Sequence, residues 1–487
     1  MSDEQRSLRR GKLEKLQTEF SIDPFPPRSH KSLSMKEVRD GGETGENVFV
    51  TGRITGKREH GKTVFVDLRD STGSIQLYLS SNVLDKKTWS VVGLLDLGDI
   101  IQVNGSIFTT RLGELTVKCA DMIILSKSLR QLPVVKVDSE GVVHDEVTDR
   151  DYLYRHRCVD LIINPDSLDR FRKRSRIVSS LRSYLDSNDF LEVETPVLQP
   201  IYGGAAAEPF KTHYSSMNEI FFLRIAKELY LKRLLVSGID RVYEMGKDFR
   251  NEGIDRTHSP EFTQLEMYEA YADYNVMMTR FEEMVITAAG VSGIGSDLEY
   301  QGTMIHLSPP FRRVGFLESL SEASGEDLFS WEPEDLETLS RKNGIATHAK
   351  DRITLLDKLF DFYVADRIEQ PTFVVDYPEA LSPLAKGKPG SPGVTERFEA
   401  FVLGLELANA FSEQNNPILQ RQILEDQAEA SVHRGGAVDE EFLYALETGM
   451  PPAGGMGIGI DRLVMLLTGT SKIRDTILFP NLRRQNK

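Results

Sequence analysis

Three kinds of hydrophobic pattern follow one another along the chain. Leucines spaced among Arg and Lys predict an amphipathic helix over residues 1 to about 20, and the segment IDPFPP ends it because proline cannot continue a helix. Five runs then alternate apolar and polar residues or are β-branched, and turn residues separate them, so each run predicts a strand. These runs are VFVTGRI from Val48, TVFVDLR from Thr63, SIQLYL from Ser74, DIIQVNGSIF from Asp99 and ELTVKCADMIIL from Glu114.

The predicted strands have a helix-like segment, near Asn82 to Leu97, between the third and the fourth. This is the layout of an oligonucleotide-binding (OB) barrel, although the number of strands alone fits an unrelated small barrel equally well. We therefore expect a helical N-terminal extension over residues 1–46 and a barrel over residues 47–130. A polar stretch over residues 131–151 predicts a linker.

The pattern over residues 152–487 mixes helices and strands. Ser167 to Asn188 predict a long helix with basic N-terminal turns. The elements after it lack the regular alternation that a doubly wound parallel sheet needs. We expect a large α+β domain, and therefore an α+β multidomain chain.

The composition narrows the classes of protein that fit. The chain has 487 residues, 40% hydrophobic and 27% charged, which suits several globular domains at roughly 150 residues each. No apolar run reaches the roughly 18 residues of a membrane span, and the N-terminus lacks the apolar segment of a signal peptide. Cys119 and Cys158 cannot build a disulfide framework or a zinc cluster, so a cytoplasmic protein is expected. The net charge of -15 does not indicate a nucleic-acid binder, but local basic patches stay possible.

The segment FRNEGIDRTHSPEFTQLEMYEAYADY, from Phe249, predicts a polar pocket. We expect Arg250 and Glu252 to alternate on one face of a strand, followed by a loop that carries His258. Charged residues along one strand face are costly if they are merely buried, and Arg suits a carboxylate or phosphate. A solvated edge hairpin is the alternative. A second strand follows, and its alternation predicts four residues on one face: Phe262, Gln264, Glu266 and Tyr268.

Two later segments add acids and glycines. RFEAFVLGLELANAFSEQN, from Arg397, carries three acids seven residues apart in strands with a bend, and such hard oxygen ligands suit magnesium with substrate phosphates. These acids are Glu399, Glu406 and Glu413. GGMGIGIDRLVML, from Gly454, is glycine-rich and enters a helix near Asp461, which allows close backbone approach and favours anions. The chain has no GxxxxGK[ST] segment, so a P-loop is excluded.

In this order, FLEVETP, FRNEG with HSPEFTQLE, and GIGIDR resemble the three motifs of the class II aminoacyl-tRNA synthetases. Within class IIb the chain closely resembles the lysyl-tRNA synthetases, with LQPIYGGAAAEPF, RIAKELYLKRLLVSGIDRVYE and ELANAFSE as supporting matches. The resemblance implies a five-stranded OB-fold barrel that binds the anticodon, and a catalytic domain built on an antiparallel sheet flanked by helices. It also implies a homodimer that joins L-lysine, activated by ATP, to tRNA(Lys), with up to three Mg2+ ions in each subunit.

The resemblance assigns roles at the nucleotide end of the site. Arg250, His258 and Arg462 are expected to be catalytic, with Arg250 holding both the lysine carboxylate and the α-phosphate of ATP. Phe262 and Arg462 would enclose the adenine ring. Glu399 and Glu406 would hold magnesium that bridges the phosphates. The residues expected to bind ATP are Arg250, Glu252, His258, Phe262, Glu399, Glu406 and Arg462.

The resemblance also places the lysine substrate among acids. Glu228 and the Gly204 carbonyl would take the α-ammonium, while Glu266, Tyr268 and Glu413 would surround the ε-ammonium. Glu413 lies in a run of residues with little local charge to pair with, so we expect bound lysine to supply the cation that it needs. The residues expected to bind lysine are Gly204, Glu228, Arg250, Glu266, Tyr268, Asn409, Phe411 and Glu413.

Three barrel residues match positions that contact the anticodon in the resembling family. Phe65 would stack on a base, Gln76 would recognise a base edge, and Arg53 would contact the RNA backbone. The alternative for Phe65 is a place in the barrel core, where most strand aromatics lie.

Four positions depart from the lysyl-tRNA synthetase pattern, and rival functions stay open. The departures are Glu208 for Arg, Lys227 for Pro, Ser259 for Asn and Gln414 for Leu. Aspartyl- and asparaginyl-tRNA synthetases share the motifs, but acids such as Glu266 and Glu413 would repel aspartate. A lysine-attaching relative that modifies an elongation factor lacks the barrel. An inactive RNA-binding protein would not need the catalytic arginines.

Overall fold

A computed structural model describes residues 3–30, 32–133, 136–137, 143–144, 147–345, 351–430 and 438–484. The chain divides into two compact units. The first consists of Met1–Leu153 with Cys158–Ile163, and the second of Tyr154–Arg157 with Asn164–Lys487. None of the helices in the described residues is long and apolar enough to cross a membrane.

The first unit is built around a closed barrel of five strands. Its strands are β1 (Asn47–His60), β2 (Thr63–Arg69), β3 (Ser74–Ser80), β4 (Ile100–Thr109) and β5 (Leu115–Ser126). They pair in the order β1-β2-β3-β5-β4, and β4 closes the barrel on β1. Alternation places Val64, Val66 and Leu68 of β2 in the core. The predicted five-stranded OB-type barrel is confirmed.

Helices and one short hairpin make up the other elements of the chain before α6 (Pro165–Ser187). They are α1 (Asp3–Thr18), α2 (Met35–Gly41), α3 (Lys86–Val92), β6 (Lys136–Val137), β7 (Val143–His144), α4 (Arg150–Arg155) and α5 (Arg157–Ile163). The helix α1 is held to the barrel by Arg9, which donates to the carbonyls of Leu97, Ser128 and Arg130 at 3.0 Å each. The segment 131–151, expected to be a linker, contains the antiparallel pair β6–β7 in its described residues.

The second unit contains an eight-stranded sheet with helices on both faces. Its helices are α6 (Pro165–Ser187), α7 (Glu228–Val236), α8 (Tyr274–Val291), α9 (Phe316–Ser324), α10 (Pro333–Lys342), α11 (Arg352–Tyr363), α12 (Pro417–Ala430), α13 (Glu440–Gly449) and α14 (Ile460–Leu467). Its first strands are β8 (Leu191–Glu192), β9 (Leu198–Gln199), β10 (Lys211–Tyr214), β11 (Glu219–Leu223), β12 (Arg241–Phe249), β13 (Glu261–Ala270), β14 (Asp297–Tyr300) and β15 (Thr303–His306). The remaining strands are β16 (Arg312–Gly315), β17 (Thr372–Val375), β18 (Arg397–Val402), β19 (Leu405–Ser412) and β20 (Ala453–Gly459).

The large sheet is antiparallel in its centre. Its order is β16-β17-β18-β19-β20-β13-β12-β8, and only the edge pairs β16–β17 and β12–β8 are parallel. Leu265 and Met267 of β13 belong to the core with α6, α8 and α14, whereas Tyr268 of the same strand packs with α7 and α13. The predicted antiparallel sheet flanked by helices is confirmed, and α7 lies on the face to which Tyr268 points.

The alternating placement of Arg250 and Glu252 on a strand is wrong. The strand β12 ends at Phe249, and both residues lie in the loop after it. The next residue opposite β12 is Pro260, whose carbonyl accepts the Arg250 N–H at 2.9 Å. Because proline has no N–H to donate in return, the ladder stops there and frees the loop to turn.

Candidate active site

A cavity of about 890 Å³ opens on the α7 face of the sheet, in the second unit. It brings together residues from distant segments of the sequence. The predicted site residues that line it are Gly204, Glu228, Arg250, Glu252, His258, Phe262, Glu266, Tyr268, Glu406, Asn409, Phe411, Glu413 and Arg462. Among the predicted residues of this unit, Glu399 alone lies outside the lining, set behind Arg397 and Tyr377.

The glycines of β20 create the space for this cavity. In the register of the sheet, Gln264, Glu266 and Tyr268 of β13 face Gly459, Gly457 and Gly455. A Cβ atom on Gly455 would lie 2.0 Å from Glu413 Oε1 and 2.4 Å from Tyr268 Cε1. Close approach of neighbouring side chains is therefore the reason for glycine here.

Three buried carboxylates form one end of the cavity. Glu228 begins α7, Glu266 lies on β13 and Glu413 follows β19; their exposed fractions are 7%, 3% and 1%. The backbone N–H of Lys227 donates to both Glu266 oxygens, at 3.1 and 3.2 Å. Burial raises the pKa of Glu266 to about 7 and that of Glu413 to about 8. This end therefore favours a cationic group.

The expectation that Glu413 lacks a cation of its own is wrong. The Lys232 ammonium forms an ion pair with Glu413 Oε2 and, at 2.6 Å, with Glu228 Oε1. Glu228 and Lys232 are four residues apart on α7, and this spacing in ELYLK was a visible signal of the pair. Glu413 Oε1, however, has no hydrogen-bond partner among the described residues.

Arg250 lines the same cavity away from these acids. Its guanidinium lies over the Phe262 ring, 5.2 Å from the centroid. Its Nε atom is buried without a hydrogen-bond partner in the described part of the chain. An unpaired guanidinium N–H next to an aromatic face is suited to an anionic group of a ligand.

Arg462 joins the loop after β12 to the hairpin β18–β19. It donates to the Glu406 carbonyl at 2.8 Å and to Glu406 Oε2 at 3.0 Å, and its Nη2 lies 2.8 Å from His258 Nε2. Because Arg only donates, His258 Nε2 accepts, and the Nδ1 proton points to Asp255 Oδ2 at 2.8 Å. Asp255 therefore sets the tautomer of His258, a role that the sequence analysis missed although the two residues are only three apart.

The two acids expected to hold magnesium lie near each other but differ in setting. Glu406 lines the cavity, whereas Glu399 accepts from Arg397 Nη2 at 2.5 Å and from the Tyr377 hydroxyl at 2.9 Å. Burial, with the charge of Glu406 nearby, raises the pKa of Glu399 to about 7. The described residues hold no group of three or more metal-ligating side chains. Two carboxylates still fit magnesium, which binds through one or two acids together with phosphates.

In the first unit, Phe65 lies on the outward face of the barrel. Its ring is 5.5 Å from that of Tyr78, which is 5.9 Å from Phe108, so three half-buried rings form a row across the strands. The alternative that Phe65 belongs to the core is wrong. Gln76 accepts from the Thr116 hydroxyl at 3.2 Å, and Arg53 Nη1 donates to the Gly98 carbonyl at 2.8 Å.

Comparison with known proteins identifies the family. A family model described as "tRNA synthetases class II (D, K and N)" matches residues 149–483, and one described as "OB-fold nucleic acid binding domain" matches residues 48–125. The chain belongs to the class II tRNA synthetases. It is 44% identical to a lysine–tRNA ligase of Clostridium perfringens over 99% of this chain and 97% of that relative. It is also 45% identical to a lysine–tRNA ligase of Pelotomaculum thermopropionicum, over 98% and 94%.

The four departures from the lysyl-tRNA synthetase pattern fall in two places in this class II synthetase. Glu208 and Ser259 line the cavity, and Lys227 and Gln414 are buried. Lys227 changes the site most, because proline at this position would have no N–H to donate to Glu266. Its ammonium pairs with Asp248, so the buried charge is compensated.

We expect Gly455→Ala to weaken lysine binding by roughly tenfold or more, because the new Cβ must displace both Glu413 and Tyr268. Isothermal titration of lysine measures this, and titration of ATP should be little changed. Gly459→Ala is the matched control, because Gly459 lies in the same strand as Gly455. A Cβ atom on Gly459 would have its nearest neighbouring atoms at 3.8 Å, an ordinary contact distance. Wild-type lysine affinity in Gly455→Ala would contradict the assignment of the acid end.

Proposed function

We propose that the protein is a lysine–tRNA ligase, which converts L-lysine and ATP to lysyl-adenylate and pyrophosphate and transfers lysine to the 3′ end of tRNA(Lys). One observation carries this proposal: a single cavity has three buried carboxylates at one end and Arg250, with an unpaired Nε, at the other. Lysine has two ammonium groups and one carboxylate, so its charges match both ends. Aspartate would meet repulsion from Glu266 and Glu413.

In the first reaction the lysine carboxylate attacks the α-phosphate of ATP, and catalysis consists of positioning and charge neutralisation. Arg250 orients the carboxylate and the α-phosphate together by bidentate hydrogen bonds. The Phe262 ring supports the adenine, and Glu252 lies at the cavity rim to meet its edge. Arg462 and His258, already hydrogen-bonded to each other, would meet the γ-phosphate. Magnesium held by Glu399 and Glu406 would neutralise phosphate charge.

Pyrophosphate exchange tests the amino acid and Glu413 together. We expect exchange with lysine and not with aspartate or asparagine. Glu413→Gln removes the charge but keeps the shape, so lysine binding should lose roughly 2–5 kcal/mol and the rejection of norleucine should fall. The KM for ATP should stay near that of the wild type. Normal lysine affinity together with normal rejection of norleucine in Glu413→Gln would contradict the proposal.

The barrel is proposed to bind the anticodon of tRNA(Lys) through the row of Phe65, Tyr78 and Phe108. Phe65→Ala should weaken tRNA charging by roughly 1–3 kcal/mol, the contribution of one stacked base, and leave tRNA-independent exchange unchanged. Phe49→Ala is the matched control, because Phe49 is a partly exposed barrel aromatic outside this row, with its ring 5.3 Å from that of His30. Equal losses in charging and exchange would show that Phe65 serves folding rather than RNA binding.

We also propose a homodimer in the cytoplasm, with an interface at the segment FLEVETPVL. Exposed apolar side chains concentrate around it, including Leu191, Val197 and Leu198 at 51%, 40% and 48%. Neighbouring Ile220 on β11 is 53% exposed. Such a patch is typical of an interaction surface, and an isologous dimer is the commonest use of one.

Light scattering should give twice the 54.9 kDa mass of the chain. Ile220→Glu should shift the mass towards that of the monomer, because a buried charge is costly at an apolar interface. Ile418→Glu is the control, since Ile418 is an 81% exposed isoleucine on α12. A monomeric wild-type protein at micromolar concentration would exclude the dimer.

A further inference from the structure

The side chain of Lys232 is fully enclosed beside the acid end of the cavity. Its ammonium pairs with one oxygen of Glu228, at 2.6 Å, and one oxygen of Glu413, and it lies 5.3 Å from the centroid of the Phe411 ring. Two carboxylates compensate the charge of the ammonium, and the face of the Phe411 ring lies near it. The charge of Lys232 is therefore compensated within the protein, without any ligand.

Lys232 stands behind the acids rather than in the cavity. Glu228, Phe411 and Glu413 line the cavity, and Lys232, with 0% exposure, does not. The second oxygen of each acid lies towards a lining glycine. Glu228 Oε2 is 3.7 Å from the place of a Cβ on Gly204, and Glu413 Oε1 is next to Gly455. One oxygen of each acid is thus left for a ligand.

Acids outnumber cations around this end. The buried groups comprise five carboxylates and three cations: Glu228, Glu244, Asp248, Glu266 and Glu413, with Arg224, Lys227 and Lys232. If all are ionised their sum is minus two, and lysine brings plus one at neutral pH. Without Lys232 the sum would be minus three, and a carboxylate would take up a proton in place of a ligand cation.

We propose that Lys232 is a positioning residue that sets the specificity of the pocket for a cationic amino acid. Its charge favours the carboxylate form of Glu413, and its ion pairs direct one oxygen of Glu228 and one of Glu413 into the cavity, so that an ammonium group binds and a neutral side chain leaves a carboxylate unpaired. This inference rests on the proposed lysine–tRNA ligase function. It concerns a residue that acts through the acids and does not touch the substrate.

The opposite possibility is that Lys232 competes with the substrate for the two acids. The position of Lys232 argues against competition, because its ammonium has no exposed surface and its partners leave their other oxygens to the cavity. The two possibilities also predict opposite effects of Lys232 on the affinity for substrate lysine. A positioning lysine strengthens the binding of substrate lysine, whereas a competing lysine weakens it.

The pH dependence offers a readout that a purely structural role would not change. Glu413 is faced by Lys232 and Glu228 from α7 and by Glu266 and Tyr268 from β13. Burial raises the pKa of Glu413 to about 8, and Lys232 opposes this rise. Protonated Glu413 cannot attract an ammonium, so lysine affinity should fall as the pH drops below this pKa. Loss of Lys232 should move that fall to higher pH.

The experiment measures pyrophosphate exchange with lysine, ATP and norleucine over a range of pH, using the full-length protein. In Lys232→Met the KM for lysine should rise by about 30-fold or more, the loss expected when one member of a buried charge pair is removed. The KM for ATP should stay within about twofold, and discrimination against norleucine should fall. Lys232→Arg, which keeps the charge, should retain the pH profile of the wild type.

Lys127→Met is the matched control for lost stability. Lys127 is a buried lysine between two acids, Asp96 at 2.6 Å and Asp99 at 2.7 Å, but it belongs to the barrel unit. Its loss should lower the melting temperature without changing the KM for lysine in exchange. If Lys232→Met fails to fold, Lys232→Gln removes the same charge. The shift in melting temperature that lysine induces in Lys232→Gln is then compared with the shift in Lys232→Arg.

Several results would overturn the inference. An unchanged or lower KM for lysine in folded Lys232→Met would do so, and so would equal changes in the KM for lysine and for ATP. A pH profile that does not move would also contradict it. Failure of the wild-type protein to exchange with lysine would instead contradict the proposed function, so the two failures are distinguishable.

Discussion

The cost of taking carboxylates out of water governs the architecture of the catalytic unit. Three acids from separate segments meet at one end of the cavity, and each needs a compensating group. Helix α7 and the residue that caps it provide most of them: the N–H of the N-cap Lys227 for Glu266, and the Lys232 ammonium for Glu228 and Glu413. The arrangement of α7 against β13 is therefore as much an electrostatic requirement as a packing solution.

Much of the fold was predictable because its patterns are local. The barrel strands alternate in period two with turn residues between them, and the long helix α6 ends within one residue of its predicted limit, at Ser187. The strand assignment of Arg250 failed because pairing depends on the residue opposite, Pro260, which only the register of β12 and β13 reveals. Local pattern cannot reveal a partner across a sheet.

The sequence predicted the residues that line the site better than it predicted the residues that contact them. Motif resemblance brought the lining residues together, but it assigned no role to Lys232 or Asp255. Both contact a residue of the cavity lining without lining the cavity themselves. The i,i+4 pair of Glu228 and Lys232 could be anticipated from helical spacing, whereas the contact of Lys232 with Glu413, 181 residues later in the sequence, required the tertiary fold.

The two faces of strand β20 differ in the size of their side chains rather than in polarity. Gly455, Gly457 and Gly459 face the pocket, while Met456 and Ile458 fill the core on the other side. A slip of one residue in its pairing would push a large side chain into the cavity and open a hole in the core at once. The same residues thus set both strand register and pocket volume. Evolution of a new amino-acid preference on this scaffold would consequently have to proceed through side chains of β13, α7 or the end of β19, and leave β20 unchanged.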